Sequence, residues 1–353
     1  MIRMSEMVLR GHPDKFCDQV ADAIAGACMA FEAEAYCQVE VAAWGDEVWL
    51  NGGIACEGSL PFSPSDLVQI TSDDIGYGRQ YRVHNAICFD PVDPRQWTRK
   101  VNDQSICVGW AGYDARTAFL PPEHFLAHTF RRAVEDSIGG GLLKGEGPDG
   151  KLLLRIREEG QRWWLEHLLI TLQQRENSDF LELVERLEVV LATAFTHAQG
   201  IDSRWTGAWA ETTLLINPNG PLVSGGSDGD NGQTGRKLVM DFYGPRVGIG
   251  GGALSGKHLS HIDRAGAYAA REAAMRAVVS GARECRVVVS WAPNLPEPLE
   301  VTYEMEGRGA REATSFFDHE AIGGRYSAFP LDCHIAGGDH FLNSNYPWNG
   351  WRA

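Results

Sequence analysis

The sequence predicts an α+β fold of several layers, each a sheet with helices on one side. Three observations lead there. Stretches with apolar residues at helical spacing alternate with short runs of strand character. Two of those runs lie close enough to form a hairpin, which gives the sheets an antiparallel component. The pattern divides into three stretches of similar size over 353 residues, more than one hydrophobic core usually serves.

In chain order, Pro13 opens a helix from Asp14 to about Ala33, with Phe16, Val20, Ile24, Ala27 and Phe31 on one face. Tyr36–Ala43 and Glu47–Ile54 read as strands joined at Gly45-Asp46. Glu40 lies in the first, with Val39 and Val41 on the opposite face. Asp90–Asp103, rich in Pro, Asp and Arg, reads as a loop and domain boundary. Pro121-Pro122 start a helix carrying Phe125, Phe130, Val134 and Ile138, ended by Gly139-Gly140-Gly141. Strands follow at Leu152–Arg157 and Trp163–Leu172, then a helix over Asp179–Phe195 and a strand over Thr212–Asn217. A glycine-rich stretch, Gly220–Gly256, is interrupted by a strand expected at Lys237–Tyr243. An alanine-rich helix at Asp263–Ser280 and strands at Arg286–Trp291 and Leu299–Glu304 complete the pattern.

Composition narrows the function. With 47 acidic and 32 basic residues the formal charge is −15, which argues against a nucleic-acid or anionic-membrane surface. No apolar run reaches membrane-span length, and Met1–Arg10 has no signal-peptide core. The eight cysteines form no CxxC pair or zinc spacing; they read as reduced, mostly buried thiols of a cytoplasmic protein. His124, His128 and His167 show no ligand spacing and read as surface or hydrogen-bonded residues.

Three segments carry chemistry. In Gly11-His12-Pro13-Asp14-Lys15 a histidine, a carboxylate and an ammonium group meet at a helix N-terminus, where free N–H groups attract phosphate. Asp14 could hold Mg²⁺ while His12 and Lys15 touch ligand oxygens; a plain capped helix start is the simpler alternative. Gly225–Lys237 combines glycines, which allow close backbone approach, with Asp230 for a polar ligand group and Arg236 and Lys237 for phosphate. Gly251–Lys257 matches the start of a P-loop, but His258 stands where that motif needs a hydroxyl for Mg²⁺.

Together these segments resemble the S-adenosylmethionine synthetase family, whose motifs GHPDK, GGxxGDxGxTGRK and GGGAxSGK, followed by a DRxxAYAAR helix, occur here in order at Gly11–Lys15, Gly225–Lys237, Gly250–Lys257 and Asp263–Arg271. Ile216–Gly220 and Tyr346-Pro347-Trp348 are also similar. The resemblance implies three similar α+β subdomains, placed at 1–95, 100–224 and 225–346, and active sites between two subunits of a homodimer or a dimer of dimers. It implies ATP, two Mg²⁺ and K⁺, with adenosyl transfer to methionine and cleavage of the displaced tripolyphosphate. His12, Asp149, Lys151, Asp230, Arg236, Lys237, Ala253 and Lys257 would bind ATP, with His12, Lys151, Arg236 and Lys257 catalytic. Asp14 and Asp263 would hold Mg²⁺ and Glu40 would hold K⁺. Ile54, Asp103, Asp230, Lys257 and His261 would frame the acceptor.

The departures from the family pattern fall on that acceptor. Ile54 replaces the glutamate of the family's GGE, and His261 replaces a second lysine. The loop that gates the site is shortened to roughly Pro91–Asn102, Asn102-Asp103-Gln104-Ser105 replaces GDQG, and Leu222 replaces an aromatic residue near adenine. Methionine leads the acceptors this implies. A different small nucleophile and a non-catalytic ATP-binding paralogue are the alternatives.

Overall fold

The computed structural model describes residues 1–350. The chain runs β1 (Ile2–Val8), α1 (Pro13–Phe31), β2 (Tyr36–Trp44), β3 (Glu47–Ala55), α2 (Pro64–Ile75), β4 (Arg82–Asp90), α3 (Arg95–Thr98) and β5 (Ser105–Gly112). It continues through α4 (Pro122–Gly140), β6 (Gly150–Glu159), β7 (Arg162–Leu172), α5 (Phe180–Ile201), β8 (Trp205–Thr206), β9 (Thr213–Ile216), β10 (Gly232–Gln233) and α6 (Leu238–Asp241). Last come α7 (Ile262–Val279), β11 (Ala282–Trp291), β12 (Glu300–Gly307) and α8 (His319–Tyr326).

Three sheets form, each packed with helices, as the sequence predicts. The first has the order β10-β2-β3-β4, with β2 and β3 the expected antiparallel hairpin and β4 parallel to β3. Helix α1 covers one face, burying Phe16, Val20 and Ile24 against Val39, Val41, Val48 and Leu50. Strict alternation leaves Glu40 and its register partner Asn51 exposed on the other face. The second sheet, β1-β6-β7-β8 with β9 also on β7, packs against α4 and α5. The third, β12-β11-β5, packs against α7.

Helix α7 is buried nearly all round. Its alanines let β5 approach closely, and the C-terminal segment covers its other side. There the rings of Tyr268 and Trp348 stack 3.7 Å apart.

The structure corrects several expectations. The sheets cut across the contiguous stretches 1–95, 100–224 and 225–346, because β1 pairs with β6, β10 with β2 and β5 with β11. The strand expected at Lys237–Tyr243 is the short helix α6 instead. A three-residue apolar run does not distinguish strand from helix, and Asp241 is drawn inward by Lys15 of α1 at 2.6 Å. The loop at Asp90–Asp103 contains α3. Cys88 is exposed. His124 and His128 lie on the buried face of α4; His124 is hydrogen-bonded, as expected, to Ser5 Oγ at 2.9 Å and the Met240 carbonyl at 3.0 Å, whereas His128 is buried rather than at the surface.

Candidate active site

The site begins at two helix starts built alike. His12 caps α1, its Nδ1 accepting the Asp14 N–H at 3.2 Å. His261 caps α7, its Nδ1 accepting the Asp263 N–H at the same 3.2 Å. In each case the aspartate stands in the first turn, favoured by the helix dipole, and takes a lysine: Lys237 on Asp14, and Lys257 on Asp263 at 2.6 Å. Arg236 adds a second cation 3.6 Å from Asp14, and Ser105 Oγ donates to Asp263 at 2.6 Å. Burial works against the Asp263 carboxylate, but Lys257 and Ser105 outweigh it and hold its pKa below the usual range.

Helix α1 organises both clusters through residues the sequence reading missed. Asp14, Asp18 and Asp22 recur every fourth position on one face. Each accepts a backbone N–H from the glycine-rich stretch: Gln233 to Asp14 at 2.9 Å, Gly235 to Asp18 at 2.8 Å and Gly256 to Asp22 at 2.8 Å. Asp18 and Asp241 clasp Lys15 at 2.9 and 2.6 Å. Asp22 holds Arg264 in a two-pronged pair at 2.7 Å, both side chains fully buried. The signal was present in the sequence as three aspartates at helical spacing beside the apolar face.

This arrangement corrects the expectation for Lys15. It is 1 % exposed and neutralised by two carboxylates, so it anchors the glycine-rich stretch rather than touching a ligand.

The remaining nucleotide candidates join the first cluster. Val8 of β1 pairs with Lys151 of β6, which brings the turn carrying His12 beside Asp149 and Lys151. Gly11 packs so tightly there that a Cβ would stand 2.4 Å from the Pro148 carbonyl oxygen. Asp149 accepts the Gly226 N–H at 2.7 Å, and burial raises its carboxyl to about 6. Burial, aided by Lys237, lowers His12 to about 4, so its ring is neutral. Lys151 pairs with Glu6 at 2.7 Å, and Asp230 is exposed. Ala253 joins the two clusters, because a Cβ on Gly235 would lie 2.9 Å from its own.

Within the chain Lys151 and Lys237 both act on His12, Arg236 and Lys237 lie on Asp14, and Lys257 lies on Asp263. One expectation changes. Ile54 is 2 % exposed and packs into the core under α1, so it does not frame an acceptor. Gly53, its neighbour, faces the other way, where a Cβ would lie 3.7 Å from the Tyr36 ring.

Carboxylates such as Asp14 and Asp263, already matched to cations and hydrogen-bond donors, are donors of the kind a hard divalent ion takes. Glu40 offers a single exposed oxygen donor set opposite Asn51.

Comparison with known proteins agrees with the motifs. Residues 1–92 match the S-adenosylmethionine synthetase N-terminal domain, and residues 224–320 match the C-terminal domain. The chain is 33% identical over 320 residues to S-adenosylmethionine synthase 1 of Rhodospirillum rubrum, covering 84% of this chain and 79% of that protein. It is 31% identical over 312 residues to S-adenosylmethionine synthase of Paracoccus denitrificans, covering 84% and 78%. It is 31% identical over 340 residues to that of a Methylobacterium species, covering 87% and 81%.

The family match and the fold are those of an ATP-using adenosyltransferase. The chain belongs to the S-adenosylmethionine synthetase family. Among the described residues no helix is long and apolar enough to cross a membrane.

Proposed function

We propose that the chain transfers the adenosyl group of ATP to a small nucleophile, in the first instance methionine, and cleaves the displaced tripolyphosphate to pyrophosphate and phosphate. The two lysine–aspartate pairs at the capped starts of α1 and α7 carry this reading. A lone pair of the acceptor forms the new bond to carbon 5′ of ATP. The carbon–oxygen bond breaks, and its electrons leave on a triphosphate bearing about four negative charges. Lys237, Arg236, Lys151 and Lys257 would stabilise that charge as it develops. Mg²⁺ held by Asp14 and Asp263 would neutralise phosphate oxygens further, with K⁺ at Glu40. His12, neutral and next to Asp14, would hydrogen-bond the ATP, while Asp149, Asp230 and Ala253 shape its seat. No covalent enzyme intermediate is needed, because positioning and charge stabilisation suffice.

We propose, as the family resemblance implies, that the complete site forms between two copies of the chain. A second reading, transfer to an acceptor other than methionine, is favoured by Ile54 turning into the core and His261 serving as a cap. The retained Asp14, Lys151, Arg236, Lys257 and Asp263 speak against an ATP-binding paralogue without activity.

The test is to incubate the protein with ATP, Mg²⁺, K⁺ and methionine and detect the sulfonium product by mass spectrometry. Lys257→Ala should lower turnover by about 10²-fold or more. Unchanged turnover would remove Lys257 from the nucleotide site.

A further inference from the structure

The nucleotide segments around Gly11, Asp149 and Gly226 meet at a side chain outside all three, Tyr77. It follows the end of α2, where Gly76 takes a left-handed conformation with φ +102°. The Gly76 N–H donates to the Asp73 carbonyl at 3.1 Å and the Tyr77 N–H to the Ser72 carbonyl at 3.0 Å, the paired bonds of a Schellman turn. That turn fixes the direction in which Tyr77 leaves the helix. Phe16 of α1 meets its ring edge-on, with centroids 6.2 Å apart.

The Tyr77 hydroxyl donates to the Gly11 carbonyl, one residue before His12. The same ring packs against Gly226, whose φ is +61° and where a Cβ would lie 2.6 Å from the ring carbon bearing the hydroxyl. Gly226 donates its N–H to Asp149 at 2.7 Å, and its carbonyl accepts the Asp230 N–H at 3.1 Å. One side chain therefore stands between the backbone that carries His12 and the backbone that orients Asp149 and Asp230. Arg79, two residues further on, fastens the same loop to Asp228 at 2.6 Å.

We infer that Tyr77 is a positioning residue for ATP, its hydroxyl keeping His12 in register with Asp149 and Asp230. It acts through those residues and not on the reacting atoms. Removing the hydroxyl leaves the Gly11 carbonyl without that partner and frees the His12 turn to shift. The inference rests on the reading of this cluster as the ATP seat and extends it to a residue outside the three motifs.

The experiment compares the whole chain in three forms: unsubstituted, Tyr77→Phe and Tyr113→Phe. Tyr113 supplies the control, because its hydroxyl also donates within the protein, to Glu158 at 2.8 Å. Glu158 lies toward the far end of β6 from Lys151, about 23 Å along the strand. Calorimetric titration with ATP, Mg²⁺ and K⁺ and no acceptor gives the affinity. Turnover with methionine gives the KM for ATP and kcat, and scanning calorimetry gives the thermal midpoint. Tyr77→Phe should weaken ATP binding and raise the KM for ATP by about five- to tenfold, with kcat at saturating ATP within about twofold. Tyr113→Phe should lower the thermal midpoint without moving the affinity. An affinity unmoved by Tyr77→Phe, or moved equally by Tyr113→Phe, overturns the inference and leaves the ATP seat standing. Unsubstituted protein that binds no ATP overturns both.

Discussion

At the scale of single residues, the decisive groups are the three aspartates on one face of α1. Each joins a buried or half-buried cation to a backbone N–H of the glycine-rich stretch. The Asp22–Arg264 pair is the most committed, with no exposure on either side. Breaking such a pair from one side leaves a buried charge unmatched, so Asp22→Ala should destabilise the protein by about 3–5 kcal/mol. Urea denaturation measures this, and a loss under about 1 kcal/mol would mean that Arg264 finds water or another partner. His12 and Asp14 were singled out within one contiguous motif and Lys237 within another, each recognisable by itself, although the Asp14–Lys237 pair spans 223 positions. Asp18 and Asp22 were not, because the helix was read for its apolar face and the partners lie more than 200 positions away. Lys15 was misread for the same reason: nothing local announces Asp241.

Among elements, the meeting of β1, the turn after it and β6 places His12 beside Asp149 and Lys151. Gly11 allows that meeting, because a Cβ would press on the Pro148 carbonyl at 2.4 Å. Gly11→Ala should therefore push the His12 turn away from Asp149, raising the KM for ATP several-fold and lowering thermal stability by about 1–3 kcal/mol. Steady-state kinetics at varied ATP checks it; an unchanged KM would mean that His12 and Asp149 need not be neighbours. The hairpin β2–β3 and helices α1, α4, α5 and α7 were readable from periodicity and glycine or proline punctuation. Strands β1, β4 and β5 and helix α2 were not assigned. β1 and β5 pair with strands far along the chain, and pairing of that kind leaves no local mark.

Across the whole molecule, burial leaves an unusual set of histidines neutral. It lowers His124 to about 4 and takes His128, His258 and His340 well below the ordinary imidazole value. At these rings the unfolded chain takes up protons that the folded chain refuses, so they withdraw stability as pH falls below about 6.5, against an opposite contribution from Asp149 and Asp241, whose carboxyls burial raises to about 6 and about 7. Urea midpoints should drop steadily from neutral pH toward about 5. His128→Leu, which breaks no side-chain hydrogen bond among the described residues, should flatten that slope. A midpoint independent of pH over the range would contradict the burial of these rings.

The division into three sheets was visible from the sequence, but not how the chain weaves through them. Alternation of strands and helices reveals layers, whereas the exchange of β1, β5 and β10 between stretches is decided by packing. The same interleaving brings motifs from both ends of the chain to the starts of α1 and α7.

The central claim is that these two helix starts serve displacement of an intact triphosphate. It is tested by the product balance of ATP turnover with an adenosyl acceptor present, read by phosphorus NMR and mass spectrometry. The account predicts adenosylated acceptor, pyrophosphate and phosphate in equal amounts, with no ADP. ADP and phosphate formed without any adenosylated product would contradict it.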